Sequence, residues 1–359
     1  MKNSLLKTYL FLLVPLLLMI ACKQKLQHLT NEESVAFAKE VESSIKKGDG
    51  AFLDNSIDKD AFVGRMNLAK TKDSRGFGDG IMEKLKLGTQ ITNSLTGLDN
   101  FEFIKHYVKD EKHHLIFRLY GDKESTLNYH DYELIKVNDK CKIADLYIYL
   151  SGETLAETMR NLYNSVIEKS NGSDQQKLKG IEEVGDIRKL MQRGKNAEAK
   201  RKYDVLPAYL KNSKTIMLLN VLVCSNLTNE EYNEAINQYN EKFPGEQNMN
   251  LMMIDGYFLQ KDYVKMLAAV NALDAQINKD PLLDFYRYVS YKLLEDKENA
   301  RLYLNRLVKN KPEFQKGLLE LITVELDRKN KPVADSLVAI YRKKTKFNQK
   351  ELNDLLGFY

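Results

Sequence analysis

The chain reads as an α+β domain, helices plus a cone-like four-stranded antiparallel meander, followed by an all-α helical-repeat solenoid. Three observations predict this. Between residues 101 and 150, β-branched and aromatic residues alternate with polar ones at a period of two. After Ser151 that alternation stops and helical spacing takes over. Beyond Gly194 a small or flexible residue returns at Ala199, Ala235, Met266, Ala300 and Ala334, with separations of 36, 31, 34 and 34. Proline placement agrees: apart from Pro15, all prolines lie between Pro207 and Pro332.

The amino-terminal stretch is not part of either fold. Lys2 and Lys7 precede an apolar run from Tyr9 to Ala21, too short to span a bilayer as a helix, which needs ~20 residues. A charged start, a short apolar core and a small residue before a cleavage point fit a secretory signal. Leu18-Met19-Ile20-Ala21-Cys22 resembles the lipobox of bacterial lipoproteins, with Met19 in place of the commoner leucine. The resemblance implies cleavage after Ala21 and diacylglycerol modification of the Cys22 thiol. It also implies acylation of the new amine, palmitate being one such acyl group. Several chains on one residue anchor stably where a single chain binds only marginally. Lys23 rather than aspartate follows, which in such lipoproteins implies sorting to the outer membrane. Lys23–Leu29 has no acidic cluster, so the periplasmic face is expected. Within the tether, residues 22–30, the polar stretch Lys23–Thr30 reaches ~25 Å when extended.

The first domain is expected at 31–150. Thr30-Asn31-Glu32-Glu33 is a capping-box pattern, and Val35, Ala38, Val41 and Ile45 follow at helical spacing up to Gly48 and Gly50. A second helical segment is expected over 51–70 and a third over 81–95, with Gly76–Gly80 as a loop. That glycine run lacks the Lys-Ser/Thr of a phosphate loop. Strands are expected at Phe101–Val108, His113–Tyr120, Leu127–Val137 and Cys141–Leu150. The runs Tyr132–Lys136 and Ile143–Tyr147 resemble the last two strands of the cystatin-like or nuclear-transport-factor-like (NTF2-like) cone fold. Members of that fold include enzymes, ligand binders and dimerisation modules, so the resemblance does not imply one activity.

The residues able to do chemistry here are His106, His113, His114, His130, Asp131 and Asp145. His113 and His114 point to opposite faces of a strand, as do His130 and Asp131, so neither pair can chelate one metal. Asp145 shares a face with Cys141, Tyr147 and Tyr149. No motif joins these groups, so no catalytic, cofactor or metal residue is assigned and the chain is read as non-enzymatic.

The second domain, 151–359, begins with a helix over 153–169 and a break at Ser170–Ser173. Four residues after each recurring small residue stands a larger one: Tyr203, Tyr239, Val270, Leu304 and Val338. Pro244, Pro281 and Pro312 fall between helix pairs, and Pro332 near a helix start, where proline is tolerated. The period and pattern resemble degenerate tetratricopeptide repeats (TPR), lacking their tryptophan and most of their glycine. The resemblance implies four to five stacked helix pairs and a groove that holds a peptide or partner helix. Its lining would include Asn250, Asp255, Tyr257, Asp284, Arg287, Tyr288 and Tyr291. The family's carboxylate-clamp pattern is absent.

Composition bounds the rest. Hydrophobic residues at 43% and charged residues at 29% allow a core and exclude a disordered chain. Three cysteines exclude a disulfide scaffold, although Cys141 and Cys224 could pair if adjacent. A net charge of +5, without clustering beyond a surplus at the C-terminal end, argues against a nucleic-acid partner. The expectation is a lipid-anchored scaffold of the cell envelope that holds a protein partner. Two alternatives remain open: a small-molecule binder or enzyme using the cone-like domain, and a glycan-uptake accessory lipoprotein. The absence of tryptophan weighs against the last.

Overall fold

The computed structural model describes residues 28–94, 101–121, 126–164, 174–246, 248–344 and 347–359. The signal segment, with Ala21 and Cys22, lies outside them, as does the expected break at Ser170–Ser173.

Helix α1 (Asn31–Lys46) starts where the capping pattern places it: Thr30 Oγ1 accepts from Glu33 N and Glu33 returns a carboxylate oxygen to Thr30 N. Helices α2 (Gly50–Ser56) and α3 (Lys59–Arg65) follow, then α4 (Lys72–Lys84) and α5 (Leu87–Ser94). The Gly76–Gly80 stretch is therefore helical, not a loop. Thr71 and Ser74 cap α4 reciprocally, and Phe77, Ile81 and Met82 pack on the core, Phe77 against Tyr163 at 5.1 Å. That packing outweighs the ~1 kcal/mol each helical glycine costs. The third expected helix also splits. Asp54 accepts from Gly88 N at 2.7 Å and Thr89 Oγ1 at 2.7 Å, opening α5 as a separate helix. Gly50 and Gly88 let α2 and α5 touch: a Cβ on Gly88 would lie 2.1 Å from the Gly50 carbonyl oxygen.

Strands β1 (Phe101–Lys109), β2 (Lys112–Gly121), β3 (Thr126–Val137) and β4 (Lys140–Ile148) form the antiparallel meander. A two-residue strand, β5 (Glu153–Thr154), extends it to five by pairing with β4. Asp110-Glu111 and Asn138-Asp139 turn two of the hairpins with positive φ at both positions, the twist such two-residue loops need. One face packs under α1, burying Phe37, Val41 and Ile45 against Leu115, Phe117, Tyr132, Leu134, Ile143 and Leu146. Helix α6 (Leu155–Tyr163), read from sequence as the start of the repeat half, buries Leu155, Ala156 and Met159 in this same core; its Leu162 joins the next one.

Helices α7 (Asp174–Gln192) and α8 (Asn196–Asp204) form the first pair, and the short α9 (Ala208–Lys211) leads into the next. Further pairs are α10 (Lys214–Cys224) with α11 (Asn229–Lys242), α12 (Met249–Leu259) with α13 (Tyr263–Gln276), α14 (Leu283–Leu293) with α15 (Lys297–Asn310), and α16 (Gln315–Asp327) with α17 (Lys331–Arg342). Helix α18 (Gln349–Leu356) closes the array. The recurring residues sit on the second helices and all are buried, from Ala199 and Tyr203 to Ala334 and Val338. The small member lets two helices approach and the larger one fills the groove a turn later.

Four of the five first helices end alike. Gly194, Lys261, Glu295 and Lys329 are left-handed, with φ of 70°, 58°, 60° and 59°. Each donates to the carbonyl three residues back and its successor to the carbonyl five back, as in Asp262 N to Tyr257 O at 2.9 Å. Glycine occupies only the first of these turns.

Alanine at Gly76 and Gly80 would meet nothing within 4 Å on α4. Gly76→Ala with Gly80→Ala is expected to raise stability in urea unfolding by about 1–2 kcal/mol in total. No gain would contradict a helix here.

Candidate functional site

Alternation along β2 and β3 gives the sheet a second apolar face. Ile116 and Tyr120 on β2, and Leu127 and Tyr129 on β3, point away from α1. They pack against Leu251 and Ile254 of α12 and against Leu282, Leu283 and Tyr286 at and within the start of α14. Tyr120 also meets Phe314, just before α16, edge-on at 5.7 Å. The chain's own sheet thus covers the first-helix face of three successive pairs. Sequence alternation separates Ile116, Arg118 and Tyr120 from Leu115, Phe117 and Leu119, but does not show what lies over them.

A charged cluster pins this contact. Arg118 Nη1 donates to both oxygens of Asp280, at 2.5 and 2.6 Å, and Tyr129 Oη donates to the same carboxylate at 2.8 Å. Arg118 Nη2 also bonds Glu102, and Lys311 Nζ reaches both Glu102 oxygens at 2.7 Å. The Arg118 and Asp280 side chains are 5% and 0% exposed, so the pair is desolvated. Burial opposes the Arg118 charge, yet Asp280 and Glu102 overcome this and its pKa moves up. Two cations meet two anions, so neither buried charge of the Arg118–Asp280 pair is left without a counter-charge, although the buried Arg118 Nε itself has no hydrogen-bond partner among the described residues. Asp280 also accepts from Leu282 N at 2.9 Å, so the same carboxylate opens α14. At the edge, Asn248 Nδ2 donates to Leu150 O at 3.1 Å, and Gly152 (φ 66°) leaves it room: a Cβ there would lie 2.8 Å from Asn248 Oδ1.

The groove residues named from sequence fare unevenly. Asp284 and Arg287 are buried in an ion-pair chain: Arg287 donates to Asp274 at 2.7 Å and to Asp284 at 2.9 Å, and Arg306 Nε reaches Asp284 at 2.6 Å. Tyr288 is buried and donates to Glu320. Tyr257 packs partly against the sheet-facing core. Tyr291 stacks on Tyr303 at 5.3 Å and 11°, with Arg306 over Tyr303 at 4.6 Å, so these rings serve each other and do not form an open sugar platform. Asn250 is half-buried. Asp255 alone of the seven is exposed. Protein crowded around it desolvates its carboxyl and pushes it up to about 6, and Tyr232 Oη donates to it at 3.2 Å.

The candidates on the sheet are likewise built into the structure. His113 Nδ1 lies 2.9 Å from Ser34 Oγ and 3.0 Å from His106 Nε2, while His114 Nδ1 lies 3.1 Å from Asp131. The two neighbours therefore serve opposite faces, as alternation requires. Asp131 also accepts from Tyr107. Asp145 accepts from Leu146 N at 2.8 Å and Ala156 N at 3.1 Å, holding the start of α6; burial raises its pKa. Cys141 and Cys224 are free, lie in different parts of the fold, and burial pushes their thiols up to about 12 and about 11. A cavity of about 500 Å³ between α1 and the β3–β4 hairpin is lined by Phe37, Phe52, Lys136 and Cys141. Among the described residues, no three His, Cys, Asp or Glu side chains could hold a metal ion.

No family model and no curated protein matches the chain. Two solved structures are similar over part of it. The first, MamA 41-end from Desulfovibrio magneticus RS-1, is 16% identical, covers 47% of this chain and 98% of its own, with a TM-score of 0.41. The second, MamA RS-1 ArsTM double mutant, is 16% identical, covers 45% and 92%, with a TM-score of 0.40. Likeness at that level carries no functional argument; the stacked helix pairs stand on this chain's own geometry.

Breaking the buried pair by Asp280→Ala is expected to cost about 3–5 kcal/mol in chemical unfolding, because Arg118 keeps its charge in the interior. Adding Arg118→Met should restore part of it; strictly additive losses would deny the coupling.

His130 is buried among Asn128 and Tyr132, and desolvation lowers its pKa from 6.5 to about 4. Between those values the unfolded chain binds a proton that the fold refuses. Stability is therefore complete above pH ~6.5 and falls as pH drops toward 4, by about 3 kcal/mol from this ring. His130→Gln should flatten that acid-side slope in unfolding measured from pH 7 to 4.5; an unchanged slope would assign it elsewhere.

Proposed function

We propose that this chain is a non-enzymatic, lipid-anchored scaffold of the bacterial cell envelope that binds another protein through its helical array. It is tethered by acylated Cys22 in the outer membrane and faces the periplasm. The observation that carries the reading is the fate of the polar groups. The histidines and carboxylates able to do chemistry on the sheet are spent on caps, strand contacts and ion pairs. What the molecule offers is a stack of helix pairs with its own sheet clamped to one side. Stacked pairs present extended surfaces suited to protein partners.

The sheet changes where a partner would sit. The first-helix face near Tyr257 and Tyr286 is already covered. A partner is therefore assigned to surfaces the sheet leaves open, on the second helices and at the end of the array.

Two measurements test the reading separately. Wild-type chain grown with labelled palmitate should carry the label, and Cys22→Ala should not; unlabelled wild type ends the anchor proposal. Crosslinking followed by pull-down from membranes should recover a reproducible protein partner with wild type and much less with Cys22→Ala. Recovery of none ends the scaffold proposal.

A further inference from the structure

The basic surplus of the C-terminal region collects at one end of the last helices. Residues 301–359 carry 13 basic and 7 acidic side chains, a surplus larger than the +5 of the whole chain. Helices α15 and α17 end, and α16 and α18 begin, on the same side of the array. Lys344 Nζ, just past α17, reaches Glu313 before α16 at 3.1 Å, and Tyr341 of α17 donates to Glu351 of α18 at 3.1 Å. Lys309, Lys316, Arg342, Lys343 and Lys350 stand on this side, all exposed and without an ion-pair partner among the described residues. The opposite ends of these helices set Glu295, Asp296, Glu298 and Asp327 against Lys297, Arg328, Lys329 and Lys331, so the surplus does not lie there.

Helix electrostatics accounts for only part of this. A helix C-terminus favours cations, which suits Lys309, Arg342 and Lys343. Lys316 and Lys350 instead sit in the first turns of α16 and α18, where the dipole opposes a positive charge. Lys214, in the first turn of α10, is answered by Glu246 at 2.9 Å. Lys316 meets the Phe285 ring at 5.3 Å, and among the described residues no carboxylate answers it or Lys350. Like charges gathered without counter-charges repel one another, and a negative surface outside the molecule relieves them.

The anchor can reach the same place. Leu29, at the root of the tether, is buried in the sheet-domain core, and its backbone bonds the His113 ring. Farther along β2, ~17 Å from His113 at ~3.4 Å per residue, Arg118 bonds Glu102, which Lys311 also holds. The chain from Cys22 to Leu29 extends to ~23 Å. A lipid on Cys22 and this end of the array can therefore engage one bilayer together, and a basic patch is a second signal that makes acyl anchoring firm.

We infer that this end of the array rests on anionic phospholipid headgroups, with Lys309, Lys316, Arg342, Lys343 and Lys350 on their phosphates. These cations stand on four separate helix ends, a spread suited to many phosphates on a fluid surface and not to one bound anion. The setting rests on the lipid-anchor reading above.

The test uses the chain from Lys23 onward, which keeps every described residue and carries no lipid. It should sediment with vesicles of equal parts phosphatidylcholine and phosphatidylglycerol, not with phosphatidylcholine alone, and high salt should release it. Lys309→Gln with Lys343→Gln should lower the partition about twenty-fivefold, about fivefold for each charge. Lys297→Gln with Lys329→Gln, the same change in net charge at the opposite ends, should leave it within about twofold. Equal sedimentation with both vesicles, none with either, or equal losses in the two double variants overturns the inference. So does a protein recovered from membranes whose yield falls with Lys309→Gln and Lys343→Gln while the vesicles bind nothing. The palmitate label decides the anchor separately: vesicle binding beside an unlabelled wild type keeps the surface and ends the anchor, and a label without vesicle binding does the reverse.

Discussion

One carboxylate organises the union of the two halves. Asp280 is fully buried, receives Arg118 and Tyr129 from the sheet, and opens helix α14 through Leu282 N. Its neutrality depends on the wider set: Arg118 also bonds Glu102, and Glu102 takes Lys311 from the loop before α16. Charges buried this way add little net stability, but they penalise every arrangement that leaves one of them alone. The apolar contact around Ile116, Tyr120, Tyr129 and Tyr286 supplies area without direction. The cluster supplies the direction, selecting one seating of the sheet on the helices.

The same division of labour runs through the array. Apolar seams built on Ala300–Leu304 and its equivalents bring helices together, and Asp274, Arg287, Asp284 and Arg306 set their register. Residues that looked like ligand contacts in the sequence are thus structural connectors. Arg287 and Asp284, expected from the sequence to line a partner groove, are each satisfied from within.

Much of the architecture was legible. Capping at Thr30 and the four strands follow from local chemistry and periods of two, and the recurrence of Ala199 through Ala334 follows from the needs of helix packing. Three features were not. The helical Gly76–Gly80 depends on Phe77 and Ile81 finding a core, which no local propensity encodes. The sheet's second face was visible as an alternation, but its cover lies 162 residues away in the case of Arg118 and Asp280. Four of the five first helices end in a left-handed turn, three of them at Lys261, Glu295 and Lys329 and not at glycine, so the period lives in the backbone and not in one residue type.

The clamped sheet also has a mechanical meaning. Stacked helix pairs touch only their neighbours, and an array of them stretches like a spring when pulled from its ends. Here the sheet bridges α12, α14 and the approach to α16 on one side. Tension between the start of the sheet domain and the last helix is shared by two parallel routes, the seams of the array and the Asp280 cluster. The spring is shunted over those repeats and the pairs before them, and the compliance that remains in series lies beyond, in α16, α17 and α18.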